Sequence, residues 1–319
     1  MRGERERCCA FVTDATQRAL LMQQATDHFA AYSFVDRIVE FEPGRHARGT
    51  FAIPASLPAF SAALVAEAVG QLAAWTAMEH IGFRGRPVAA LATETRFHAE
   101  ARPGATLLLE ADLFACDDDA VAYNGRASVD GVTIAELVDC LGPMLPVAHF
   151  DAPEAMRERL ALLRDGGAEP GRFHGIEPMP VQIDKRLPGV EIVASLVVPA
   201  RARFFADHFP RRPVFPATLL LDTQMRLAVD LARESQAMAG ATPQPVRMTH
   251  VKMRSFIVPS QLLSIAVSLS QGDGDLVKAM LSAATDGRTV ASARLELARG
   301  SVNAPRGRES ATSSAGGIL

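Results

Sequence analysis

The stretch "FFADHFPRRPVFPATLLLDT", Phe204 to Thr223, carries one imidazole and one carboxylate at a spacing suited to proton transfer. His208 lies in a loop punctuated by Pro210, Pro213 and Pro216, and Asp222 follows inside an apolar run. An imidazole titrating near ~6.5 is available as a base at pH 7. A carboxyl on a buried apolar helix is pushed by desolvation toward its protonated form and then serves as an acid. Glu67 in "LVAEAVGQLAAW" meets the same description, with Gln71 one helical turn further on. Base and acid together are the equipment for general acid–base catalysis. By position alone Glu67 and Asp222 qualify equally as the acid.

The elements that must bring these groups together occur twice. Glu94 to Leu137 overlays His250 to Ala293 at a constant offset of 156 without a gap, setting Pro103 on Pro259, Asp130-Gly131 on Asp286-Gly287 and Ala135 on Ala291. Both copies alternate apolar and polar residues, as in "TLLLEADLF" and "LLSIAVSLS", and both carry a D-G hairpin signal between strand-like runs. Upstream, "AFSAALVAEAVGQLAAWTAMEH" and "ATLLLDTQMRLAVDLARES" are rich in Ala and Leu and too long for strands. Both read as helices, apolar enough to be buried on most sides. Before each comes an extended piece, "FVDRIVEFEPGRHARGTFAIP" and "MPVQIDKRLPGVEIVASLVVP". The order is strand pair, buried helix, then antiparallel strands, an α+β pattern in which a sheet wraps one central helix. "DAPEAMRERLALLRDGGAEPG" reads as a short charged helix and a Gly/Pro linker, and the Gly/Ser/Ala-rich end after Ala298 as disordered. The divisions expected are an N-terminal extension (1–27), two repeats (28–147 and 175–298), a linker (148–174) and a tail (299–319).

A chain of 319 residues with 48% hydrophobic content supports two ordinary domains. The net charge of -3 and scattered arginines argue against a nucleic-acid partner. Cys8, Cys9, Cys116 and Cys140 have the spacing of neither a disulfide framework nor a zinc site. No metal is expected, the acids of "CDDDA" reading as a solvated turn. The N-terminus reads poorly as a signal peptide and no run approaches the ~20 apolar residues of a membrane span, so the expected location is the cytoplasm.

"HFPRRPVFPATLLLD" resembles the "HFPGRPVMPGVLIIE" type of motif of the hot-dog-fold 3-hydroxyacyl-acyl-carrier-protein dehydratases. His208, Phe209, Pro210, Pro213, Val214 and Pro216 match, and Asp222 falls at the motif's acid. Glu67 and Gln71 resemble the family's "EAxxQ". The tandem arrangement is similar to the double hot dog of polyketide-synthase dehydratase domains: two sheets, each around a buried helix, joined as a pseudo-dimer. The first copy keeps the acid but not the histidine. Pro54 pairs with Pro199 and Pro58 with Pro213, so the loop that holds the histidine is shortened there.

The resemblance implies dehydration of a 3-hydroxyacyl thioester to its 2-enoyl product, in fatty-acid-like or polyketide-like biosynthesis. In that family histidine and acid come from neighbouring hot dogs, which pairs His208 with Glu67 and strands Asp222 in a vestigial site. Ahead of any catalytic duty, Asp222 reads as a buried carboxylate satisfied by a neighbouring hydroxyl or backbone group. Gln71 is expected to orient Glu67. Backbone N–H groups at Ala217 and Thr218, where a helix begins, are expected to hold the thioester oxygen. Ala217 and Arg211 depart from the family, which commonly has glycine at both places. Arg201, Arg203, Arg211 and Arg212 are expected to meet an acyl carrier protein or the phosphate of a phosphopantetheine arm. The substrate rides on that arm or on coenzyme A, and no cofactor is expected. A monomeric pseudo-dimer and a homodimer are both compatible. "DHFA" at Asp27 to Ala30 reads as a coincidental echo of "DHFP", and His98 as structural. Other readings are a non-catalytic acyl-binding or partner scaffold, a thioesterase, and a γ-butyrolactone-synthase-like condensation.

Overall fold

A computed structural model describes residues 27–272 and 275–300. The expectations for the N-terminal extension before Asp27, for Cys8 and Cys9, and for the tail from Ser301 onward lie outside these residues.

The first repeat opens with the hairpin β1 (Arg37–Glu42) and β2 (His46–Ala52), followed by helix α1 (Ala62–His80). Ser61 caps α1, its hydroxyl accepting the Leu64 N–H at 3.4 Å. Ala-rich and apolar on nearly every side, α1 buries Val65, Ala68, Val69 and Leu72 completely. Side chains of the Val and Leu type each contribute about 1.5–3 kcal/mol on such burial, so this helix is the core about which the sheet bends. Strands β3 (Gly85–Pro87), β4 (Leu91–Phe97), β5 (Thr106–Cys116), β6 (Ala120–Val129) and β7 (Val132–Pro146) complete the repeat.

Helix α2 (Pro153–Asp165) fills the linker with Pro153 at its start. The second repeat has β8 (Gln182–Leu187), β9 (Glu191–Val197), helix α3 (Ala217–Arg233), β10 (Thr242–Met253), β11 (Leu262–Gln271), β12 (Val277–Thr285) and β13 (Arg288–Gly300). The offset read in the sequence survives in the elements: β5, β6 and β7 begin within one residue of where β11, β12 and β13 place them. Both D-G turns have the doubly left-handed form that closes a tight hairpin, with φ of 49° and 80° at Asp130-Gly131 and 48° and 74° at Asp286-Gly287.

Two details differ from the sequence reading. The repeats share one continuous antiparallel sheet, in the order β1-β2-β5-β6-β7-β4-β10-β13-β12-β11-β9-β8, with β3 paired to β7. The seam is β4 against β10, Thr95 facing Met248, so the two sheet edges satisfy each other's backbone groups. Ordered structure also runs past Ala298: Arg299 and Gly300 belong to β13, and Arg299 donates to the carbonyls of Ala237 and Ala239. Among the described residues no helix is long and apolar enough to cross a membrane.

Candidate active site

Between β9 and α3 the chain spends residues 198–216, whereas between β2 and α1 it spends residues 53–61. The longer loop makes a short 3-10 turn, Arg203–Ala206, and then presents Asp207, His208 and Phe209. The His208 N–H donates to Phe204 O at 2.9 Å, and Val214 N–H to His208 O at 3.0 Å. His208 Nδ1 lies 2.8 Å from Val214 O. A carbonyl only accepts, so Nδ1 carries the proton and Nε2 keeps a lone pair. The ring is stacked on Phe209 at 4.2 Å and meets the edge of Tyr32 at 5.6 Å. Removal from bulk water holds the imidazole below its ordinary value; Glu67 pulls it up, and Arg86 reinforces the depression.

Glu67 and Asp222 are each the sixth residue of their helix. Glu67 Oε1 accepts from Gln71 Nε2 at 3.0 Å, and its Oε2 accepts from the Thr218 hydroxyl of the other repeat at 2.8 Å. Gln71 is itself fixed, its Nε2 donating to Tyr32 O at 2.9 Å and its Oε1 accepting the Phe34 N–H at 2.8 Å. Because Thr218 donates to the carboxylate, its oxygen accepts from the Tyr32 hydroxyl, 2.6 Å away. Burial and the nearby Glu67 keep that phenol protonated, well above its ordinary value. Asp222 occupies the pseudo-equivalent place without the equivalent surroundings. It interacts with Arg226 at 3.4 Å and accepts a hydrogen bond from Ser61, and burial raises its carboxyl against both partners.

Glu67, Gln71, His208, Ala217 and Thr218 all line one cavity of about 210 Å³ on the seam between the repeats; Asp222 is not among its lining residues. Its walls are mostly apolar and include Met225, Met248 and Met253, which adapt readily to ligand shape. Ala217 and Thr218 are the first two residues of α3, whose N–H groups have no carbonyl one turn back to bind. A smaller cavity of about 40 Å³ adjoins it, sharing His208, Gln71, Ala74 and Arg86.

Several participants were invisible in sequence. Asp207 accepts N–H bonds from Phe29 and, at 2.6 Å, from Tyr32, and the Ser33 hydroxyl at 3.1 Å, tying the histidine loop to the segment before β1. Burial raises its carboxyl despite those donors. The "DHFA" segment, read as a coincidental echo, therefore packs against "DHFP". Arg203, expected to meet a carrier, is held bidentately by Asp27 at 2.6 and 3.0 Å; its charge is engaged within the chain. Arg211 reaches Ala148 O at 3.2 Å, Arg212 lies 4.8 Å over the Phe256 ring at the cavity wall, and Arg201 is exposed. His98 pairs with Glu136 at 2.9 Å, and Asp117 accepts two N–H bonds within the acidic turn. Among the described residues no cluster of three metal-ligating side chains occurs.

The fold is the hot-dog fold. A structure from Lactobacillus plantarum provisionally described as an oleoyl thioesterase superposes with a TM-score of 0.54 at 11% identity, covering 81% of this chain and 98% of its own. A family model described as ApeI-like, ApeI dehydratase, matches residues 184–294. A 3-hydroxyacyl-[acyl-carrier-protein] dehydratase FabZ from Anaeromyxobacter sp. is 30% identical over 110 residues, 33% of this chain and 70% of the relative. Another FabZ, from Rhizorhabdus wittichii, is 35% identical over 89 residues, 27% of this chain; the alignment spans only 57% of that relative's length. The chain belongs to the hot-dog 3-hydroxyacyl-[acyl-carrier-protein] dehydratase family.

Proposed function

We propose that this protein is a double hot dog that removes water from a 3-hydroxyacyl thioester and works with a single complete site. The observation that carries the reading is that His208 and Glu67, from opposite repeats, line the same apolar cavity, each fixed by hydrogen bonds. With Nδ1 tied to Val214 O, Nε2 takes the proton from C2 of the acyl chain. Glu67 gives its proton to the C3 hydroxyl, the C–O bond breaks, and the products are the 2-enoyl thioester and water. Gln71 and Thr218 orient the carboxyl for that transfer. Charge gathering on the thioester oxygen is met by the backbone N–H groups of Ala217 and Thr218 at the positive end of α3. Asp222 is the acid of a second, vestigial position whose loop lacks a histidine. The acyl group arrives on the phosphopantetheine of a carrier protein or on coenzyme A, with Arg211 and Arg212 as candidate contacts for its phosphate, in a fatty-acid-like or polyketide-like biosynthesis in the cytoplasm. The covalent pair of repeats stands in for a dimer, so a monomer suffices.

The test is incubation with 3-hydroxyacyl carrier protein, following loss of one water by mass spectrometry. His208→Ala and Glu67→Gln are expected to lower turnover by about 10²–10⁴-fold, and Asp222→Asn to leave it within about twofold, as for a residue away from the chemistry. Loss of activity in Asp222→Asn with Glu67→Gln active overturns the cross-repeat pairing. Release of free acid assigns thioester hydrolysis instead, and a folded wild type inert on all acyl carriers assigns a scaffold.

A further inference from the structure

Arg86, the middle residue of β3, belongs to the wall shared by the two cavities beside His208. Its guanidinium carbon lies 4.2 Å from the centre of the Phe209 ring, and the opposite partner of that ring is the His208 imidazole, also at 4.2 Å. Cation, phenyl and imidazole therefore form one stack. Among the described residues no carboxylate comes within ion-pair distance of Arg86, and its hydrogen-bonding contact is a weak one, Nη1 to Met156 Sδ at 4.0 Å. Asp151, Asp207 and Glu67 act on it from beyond contact distance, so its charge is balanced across the site and not by one touching counter-ion. Burial lowers Arg86 to about 10, which leaves it charged at neutral pH.

We infer that Arg86 is a positioning residue: through the Phe209 stack it fixes the His208 ring, and its positive charge keeps that ring uncharged and ready to accept a proton. The inference rests on the dehydratase reading for its catalytic meaning. The groups facing His208 divide by sign. Glu67 from α1 favours the imidazolium, while Asp207 in the same loop is engaged by three donors from the segment before β1. Tyr32 brings an uncharged hydroxyl, and Gln71 a neutral amide. Across the small cavity the His28–Asp151 pair at 3.1 Å and Arg159 of α2 complete the set. Arg86 is thus the cation that offsets Glu67 beside the ring. Without it the proton of Glu67 would pass more readily to His208, leaving an imidazolium and a carboxylate, and neither group could then do its part.

The test uses Arg86→Met and Arg86→Gln, which remove the charge, and Arg86→Lys, which keeps it. The His208 imidazole signal, assigned by its loss in His208→Ala, is titrated by NMR in each protein, and the pH profile of kcat/KM is measured alongside. In the uncharged variants the midpoint is expected to rise by about one pH unit, the acid limb of the profile to move with it, and the rate well below the midpoint to fall about tenfold, with KM within about twofold. The lysine variant is expected to hold the wild-type midpoint. An unmoved midpoint in both folded uncharged variants overturns the inference. A raised KM with an unmoved acid limb does so as well, and makes Arg86 a contact for the carrier arm. The NMR midpoint needs no turnover. An inert wild type whose midpoint still moves on substitution therefore refutes the dehydratase reading and leaves Arg86's hold on His208 standing.

Discussion

Thr218 is the residue through which the two repeats meet chemically: its hydroxyl donates to Glu67 and accepts from Tyr32. Thr218→Val keeps the shape but leaves Oε2 of Glu67 and the Tyr32 phenol without this partner, a loss that costs more than one average hydrogen bond. Turnover is expected to drop by about tenfold or more, with Thr218→Ser restoring most of it; enoyl formation by the purified variants checks this. Asp36 gives a pH signature. It accepts the Ala52 N–H at 2.7 Å, yet burial, outweighing that bond and the pull of Arg159, raises its carboxyl to about 6. Between the unfolded value near ~4 and this folded value, the native state holds more protons than the unfolded chain, so its contribution to stability is complete below that window and is lost as pH rises through it. Asp36→Asn is neutral throughout. Its urea stability is expected to exceed wild type at pH 8 by on the order of 1 kcal/mol, reduced from the full shift by partial exposure, and to match it at pH 4. His208, Glu67 and Gln71 were legible because their spacing is local. Tyr32, Asp207, Arg86 and the Thr218 hydroxyl were not, because they act across long stretches of chain, 186 residues in the case of Tyr32 and Thr218.

Strands and helices were legible where each repeat confirms the other. The alternation of β5 and β11, the matched D-G turns and the two apolar helices are all local patterns. The seam between β4 and β10 carries no such pattern, since pairing between distant edges depends on both repeats being folded. Helix α1 and strand β6 approach closely at Gly125, where a Cβ would meet Val69 and stand 2.8 Å from Glu110 O. Backbone cannot retreat from that contact, so Gly125→Ala is expected to cost about 1–3 kcal/mol and to lower the thermal midpoint by several degrees (~2–4 °C per kcal/mol), read by circular dichroism. Gly131→Ala, where the added Cβ would meet nothing but φ is 80°, is expected to act only through the strained turn and to cost about 1 kcal/mol.

At the scale of the molecule, one sheet and one cavity span both repeats, so neither repeat keeps a complete core surface of its own when the other unfolds. Calorimetry is expected to give one cooperative transition whose van't Hoff and calorimetric enthalpies agree. Two resolved transitions would show that the seam is weaker than the repeats it joins. The unequal loops, residues 53–61 in one repeat and 198–216 in the other, have a historical consequence. In a dimer of identical chains every substitution arrives at both sites at once, and a shortened loop would cost both histidines together. Joining the repeats in one chain breaks that bond of inheritance: one copy is free to lose its loop while its helix still faces the histidine its partner keeps, and from then on the two halves descend as different parts of a single tool.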